Sequence, residues 1–141
     1  MHKETPDHHD AELILKLYDL RRETVMRESR RAMMAFLPRT WEEIAAVVGP
    51  THPDNAAWRQ VSSYWEMVYS FARHGVVNPD FLIENSAEGL FLFVKVQPHL
   101  ERFRQEYSPV AFRNAEWIST QCDTGRQRTA MIRARVAKMM A

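Results

Sequence analysis

Start and stop signals for helices recur along the whole chain, and they restrict the fold more than any other feature. Thr40-Trp41-Glu42-Glu43 has the form of a capping box, in which a hydroxyl and a carboxylate satisfy each other's orphan backbone N–H groups. Asn78-Pro79 sets a capping amide before a proline at the first helical position, and Ser108-Pro109 repeats the signal. Gly75 suits a left-handed C-cap, and Gly49-Pro50 stops the segment that Thr40 starts. No stretch alternates apolar and polar residues as a half-buried strand does. The expected fold class is all-α, a single-domain helical bundle of five to seven helices with a long C-terminal helix.

Spacing of the apolar residues fills in that outline. Asp10 is the expected cap of a long first helix, with Leu13, Leu17 and Leu20 on one face and Pro38 as its stop. Helices are also expected from Asp54 or Asn55 to Gly75, from Pro79 to about Glu84, and from Ser86 to about Tyr107. Pro98 kinks or splits the last of these, since it has no N–H to bond back one turn. Within Ser63–Gly75, Trp65, Val68, Phe71 and Ala72 share a broad sector at 100° per residue, so the aromatics read as core. Glu66 and Arg73 fall outside that sector. The chain of 141 residues is long enough for one real core. It divides into a flexible tail over 1–9, a helical core domain over 10–125, and a basic amphipathic helical extension over 126–141.

From Tyr64 to Ile118 the chain resembles a family of small bacterial helical proteins without an assigned function. The resemblance rests on YWEMVYSFARHGVVNPDFL, on EGLFLFVKV, on QPHLERFR and on the aromatic-rich FRNAEW. It implies a shared helical fold and brings no catalytic residues with it.

Chemistry-bearing motifs are sparse. Asp123-Thr124-Gly125 matches the tripeptide of aspartic proteases, whose mechanism needs paired aspartates on tight turns between apolar strands; polar, helical flanks exclude that setting. Thr40–Trp58 imitates a helix-turn-helix, but a proline-rich connector replaces the short turn. Neither His-x-x-x-His nor Glu-x-x-His occurs, so no metal and no cofactor is implied. Glu66, Arg73, His74 and Arg102 are the one set from which a small-ligand or enzyme pocket is expected to converge from separate helices. Arg21 falls in the apolar sector of the first helix, where a charge must pair or snorkel, and Glu28 or Glu66 is the expected partner. Cys122 stands alone, which excludes an internal disulfide, and the first 20 residues lack an apolar signal core. Those features read as a soluble, cytoplasmic protein with no membrane contact.

The C-terminal segment carries the most informative pattern. Ala111, Ala115, Ile118, Cys122, Gly125, Thr129, Ile132, Val136 and Met139 alternate at spacings of four and three, the seam by which helices pack. Beyond Gly125 the seam is expected to project from the domain or exchange into a partner, using Ile132, Val136 and Met139 for self-association as a homodimer. The competing reading is that Thr124-Gly125 ends the helix and the remainder folds back or frays. Arg126, Arg128, Arg133, Arg135 and Lys138 form its back, with no acidic residue after Asp123. The function read from these features is a non-catalytic, self-associating interaction or regulatory module. Binding of nucleic acid or an acidic partner through the five basic residues is the alternative.

Overall fold

The computed structural model describes residues 3–141. Nine α-helices follow in order among the described residues: α1 (His8–Arg21), α2 (Thr24–Ala35), α3 (Trp41–Val48), α4 (Asn55–Arg73), α5 (Pro79–Asn85), α6 (Gly89–Val96), α7 (Leu100–Glu106), α8 (Arg113–Gln121) and α9 (Asp123–Met139). A 3-10 turn at Gln97–His99 carries Pro98 and separates α6 from α7. No strand occurs among these residues, and the fold is all-α.

Local chemistry sets several boundaries where the sequence places them. Thr40 Oγ1 accepts from Glu43 N at 3.2 Å, and Asn78 Oδ1 accepts from Phe81 N at 2.8 Å. Gly75 sits at φ 76°, with Gly75 N donating to Ala72 O and Val76 N to Phe71 O, a Schellman ending of α4.

The helix count exceeds the expected five to seven because two segments read as continuous are broken. The first break falls at Arg22-Glu23, where the Glu23 carboxylate accepts from Val25 N and Met26 N at 3.1 Å each. That carboxylate caps a new helix, and Arg30 Nη1 donates to the orphan carbonyl of Arg21 at 3.1 Å. The second falls at Cys122, whose extended backbone (φ −136°, ψ 153°) turns the chain back; its Sγ accepts from Gly125 N at 3.3 Å.

The start of the chain also departs from expectation. Helix α1 begins at His8, capped by Asp7, and Asp10 lies buried inside it. Residues 3–9, expected as a loose tail, are docked: Lys3 Nζ donates to Asp10 Oδ1 at 2.7 Å, and Asn78 Nδ2 donates to the Lys3 and Glu4 carbonyls. The rest of the expected tail, positions 1 and 2, lies outside the described residues.

Helix α4 packs against α2, α3, α5, α6 and α8, and its aromatics line the core. Trp65 and Tyr69 stack at 5.7 Å between centroids, and the buried Tyr69 hydroxyl donates to Ser86 O. Gly89 opens α6 directly against that pair: a Cβ there would stand 2.6 Å from the Trp65 ring. Seven of the eight residues of α6 are buried, because α2, α4, α8 and α9 surround it. Full burial of side chains such as Leu90 and Phe93 contributes about 1.5–3 kcal/mol each.

Helix α9 corrects the expected projection. It folds back along α5, α6 and α8, and Thr129, Ile132 and Val136 are buried in its own chain. Gly125 makes that return possible, since a Cβ at this position would lie 1.8 Å from the Ile118 carbonyl oxygen. Backbone cannot yield as a flexible side chain can. Gly125→Ala is expected to destabilise the fold by about 3 kcal/mol, read as a lowered urea midpoint; an unchanged midpoint would show that the α8–α9 contact relaxes freely.

Candidate functional site

Of the four residues expected to form a pocket, Glu66 and Arg73 both bond Asn114 and His74 touches Arg73, a bracket on the start of α8. Helix α8 starts after Phe112, a non-glycine residue at φ 59° whose side chain caps nothing. Its ring is held among Trp58, Phe93 and Phe103, which offsets the cost of the left-handed backbone. Glu66 supplies the missing cap from α4: Oε1 accepts from Asn114 N at 3.0 Å and Oε2 from Ala115 N at 2.8 Å. Burial pushes the Glu66 carboxyl above its ordinary range, and these two N–H groups oppose that rise. Arg73 Nε donates to Asn114 Oδ1 at 2.6 Å, and its guanidinium lies 3.0 Å from His74 Nε2. The cavity beside Glu66 holds about 190 Å³ and is walled by Trp58, Ser62, Phe103 and Phe112. Arg102 does not join them. It pairs with Glu106 and lies 4.7 Å over the Trp41 ring.

Arg21 is also placed differently from expectation. Its guanidinium sits 4.9 Å over Tyr18 and 5.7 Å over Trp65, and it reaches Asn85 O at 3.5 Å. Half-buried against aromatic faces, it meets neither Glu28 nor Glu66, because Glu66 is turned toward α8.

The five basic residues of the C-terminal segment separate around α9. Arg126 stays at its first turn, pairing with Asp123 and donating to Thr120 O. Arg128, Arg135 and Lys138 line one flank with Met131 and Met139, facing Met34 and Phe91 across a groove of about 680 Å³. Its floor reaches Ile132, while Met131 is 56% exposed. The carboxylate in that wall, Glu88, accepts from Arg30 Nε at 2.6 Å and Nη2 at 2.8 Å.

Arg133 lies on the other flank, in a groove of about 670 Å³ with Arg39, Lys95, His99, Val94 and Val136. Lys95 is 2% exposed, and its Nζ donates to the carbonyls of Met33 at 2.9 Å and Met34 at 3.2 Å, in the last turn of α2. A cation is favoured at that helix end, while burial opposes its charge and lowers the ammonium to about 8.

A family model described as a domain of unknown function, DUF4760, matches residues 6–122. The chain belongs to this family. No curated protein matches the chain, and no solved structure does.

The DUF4760 match spans more than the segment from Tyr64 to Ile118 on which the sequence resemblance rested, and it takes in α1 to α8. It ends at Cys122, where the backbone turns into α9. Both grooves therefore lie where the DUF4760 domain meets the helix that follows it. Arg39, Lys95 and His99 escaped the sequence reading because each sits in a different local context. Lys95 interrupts an otherwise apolar run, which is the one signal that pointed to it. No described helix is long and apolar enough to cross a membrane. Among the described residues no cluster of His, Cys, Asp and Glu is arranged to hold a metal ion.

The Lys95 environment has a consequence for stability. Between about pH 8 and the ordinary lysine value of 10.5 the unfolded chain holds a proton on this amine that the folded chain has shed. Stability therefore gains a contribution from Lys95 as pH rises through that window, and loses it as pH falls to about 8. Urea melts across this range should give a flatter pH profile for Lys95→Met than for the parent chain; identical slopes would place the titration elsewhere.

Proposed function

We propose that this DUF4760 protein is a non-catalytic interaction module that docks an acidic, amphipathic helical segment of a partner protein between α2, α6 and α9. One observation carries the reading: an apolar floor of Met34, Phe91 and Ile132 is rimmed by Arg128, Arg135 and Lys138. None of these three cations engages a carboxylate among the described residues. A helix with an apolar stripe and glutamates along its edges matches that surface in shape and sign. Methionines such as Met34, Met131 and Met139 adapt to the side chains of such a stripe.

The other occupants fit less well. In a symmetric dimer built on this flank, one basic α9 would face its copy, and like charges oppose that pairing. Of Ile132, Val136 and Met139, the residues expected to drive self-association, the first two already have cover from their own chain, and Met139 stays partly exposed. A phosphate backbone would use the rim and leave the apolar floor without a partner.

The test is a fluorescence titration of the full chain with a designed Leu/Glu amphipathic helical peptide at low and high salt. Binding should weaken about tenfold in Arg135→Glu/Lys138→Glu and in Met131→Asp, and also as salt rises. Salt-steep binding of an oligonucleotide that ignores Met131→Asp, with none of the peptide, would replace this reading by nucleic-acid binding. Concentration-dependent dimerisation abolished by Met131→Asp would replace it by self-association.

A further inference from the structure

The groove on the opposite flank of α9 differs from the docking groove in how its charges are held. Elsewhere in the fold several cations are paired with carboxylates, Lys3 with Asp7 and Asp10, Arg30 with Glu88 and Arg104 with Glu116, while Arg59 and Arg73 bond side-chain amides. In this groove the acceptors are neutral. Arg39 Nη2 donates to Met140 O at 3.0 Å, Arg133 Nη2 to Gln97 Oε1 at 2.5 Å, and Lys95 Nζ to two backbone carbonyls. Glu43 accepts from the backbone N–H of Arg39, and its carboxylate makes no ion pair with a guanidinium among the described residues.

Neutral acceptors orient a cation without cancelling its charge. Each guanidinium has five N–H donors, so one bond to a carbonyl or amide leaves most of the fork available. His99 adds a half-buried imidazole to the same wall, 6.4 Å from Trp41. Val94, Val136 and Met140 supply apolar surface beside these groups. A space of about 670 Å³ with oriented, unneutralised donors and apolar walls has the make-up of a small-ligand site.

We propose that this groove binds a small organic anion, its carboxylate or phosphate received by Arg39 and Arg133 and its compact apolar body lying against Val94 and Val136. Lys95 locks the end of α2 against α6 behind the groove wall. The anion would bridge the segment after α2 to α9, since Arg39 comes from the first and Arg133 from the second. This site is separate from the peptide-docking flank, so either can fail without the other.

Nuclear magnetic resonance titrations of the full chain with phenyl phosphate, benzoate, inorganic phosphate and benzylamine test the proposal. Phenyl phosphate or benzoate should shift amides at Gln97–His99 and around Arg133 saturably, inorganic phosphate more weakly, and benzylamine not at all. Arg133→Gln and Arg39→Gln should each weaken the binding about tenfold, the size expected for losing a charge-assisted hydrogen bond. Arg128→Gln, on the far flank, should leave it unchanged. Because Arg39 and Arg133 sit at the surface, circular dichroism melts of both variants should match the parent, and two variants guard against one misfolding. The proposal is overturned by shifts that do not saturate, by equal binding of inorganic phosphate and phenyl phosphate, or by binding that survives both Arg39→Gln and Arg133→Gln.

Discussion

The first turn of α9 lies so close to the last turn of α8 that only hydrogen fits between Gly125 and the Ile118 carbonyl. Most of what distinguishes this protein depends on that approach. It directs α9 back over α5 and α6, where Thr129, Ile132 and Val136 close the core. It also surrounds α6, so an eight-residue helix of little intrinsic stability is held by packing alone. The two grooves exist because α9 returns at this angle, with one on each flank.

Charge follows from the same arrangement. A net charge of +1 conceals an uneven distribution. Asp10 ties down the start of the chain, Glu66 caps α8 from α4, and Glu88 and Glu116 hold Arg30 and Arg104. These carboxylates serve internal architecture. Among the described residues the cations of α9 beyond Arg126 pair with no carboxylate, so the positive charge accumulates beside the grooves. The docking flank joins it to an adaptable apolar floor, while the other flank holds its cations by carbonyls and an amide. The two proposed anionic partners, a helical segment and a small molecule, fall on the two sides of one helix.

Much of the fold is legible in short-range chemistry. Thr40, Gly75 and Asn78 act within three or four residues, so their effect needs no tertiary context. The break at Arg22-Glu23 is also local, but a carboxylate one turn ahead of Met26 looks the same on a helical surface and in a cap. What selects the cap is Arg30 reaching back to the Arg21 carbonyl. Gly125 was harder still, because a glycine in a helical pattern is compatible with an end, a weak point or a close contact. Of the expected pocket, Glu66 and Arg73 share Asn114 as a bracket on α8 and Glu66 lines a small cavity, while Arg102 turned to Trp41 and Glu106.

The amino-acid sequence by itself determined an all-α chain, most of its caps and the aromatic core face of α4, because these follow from side-chain spacing and from hydrogen bonds between near neighbours. The tertiary structure decided the rest. It chose whether α9 projects or returns, made Glu66 a cap, and brought Arg39, Lys95, His99 and Arg133 to one groove. Each of those outcomes joins residues far apart in the chain, and their encounter depends on how whole helices pack, which no local spacing encodes.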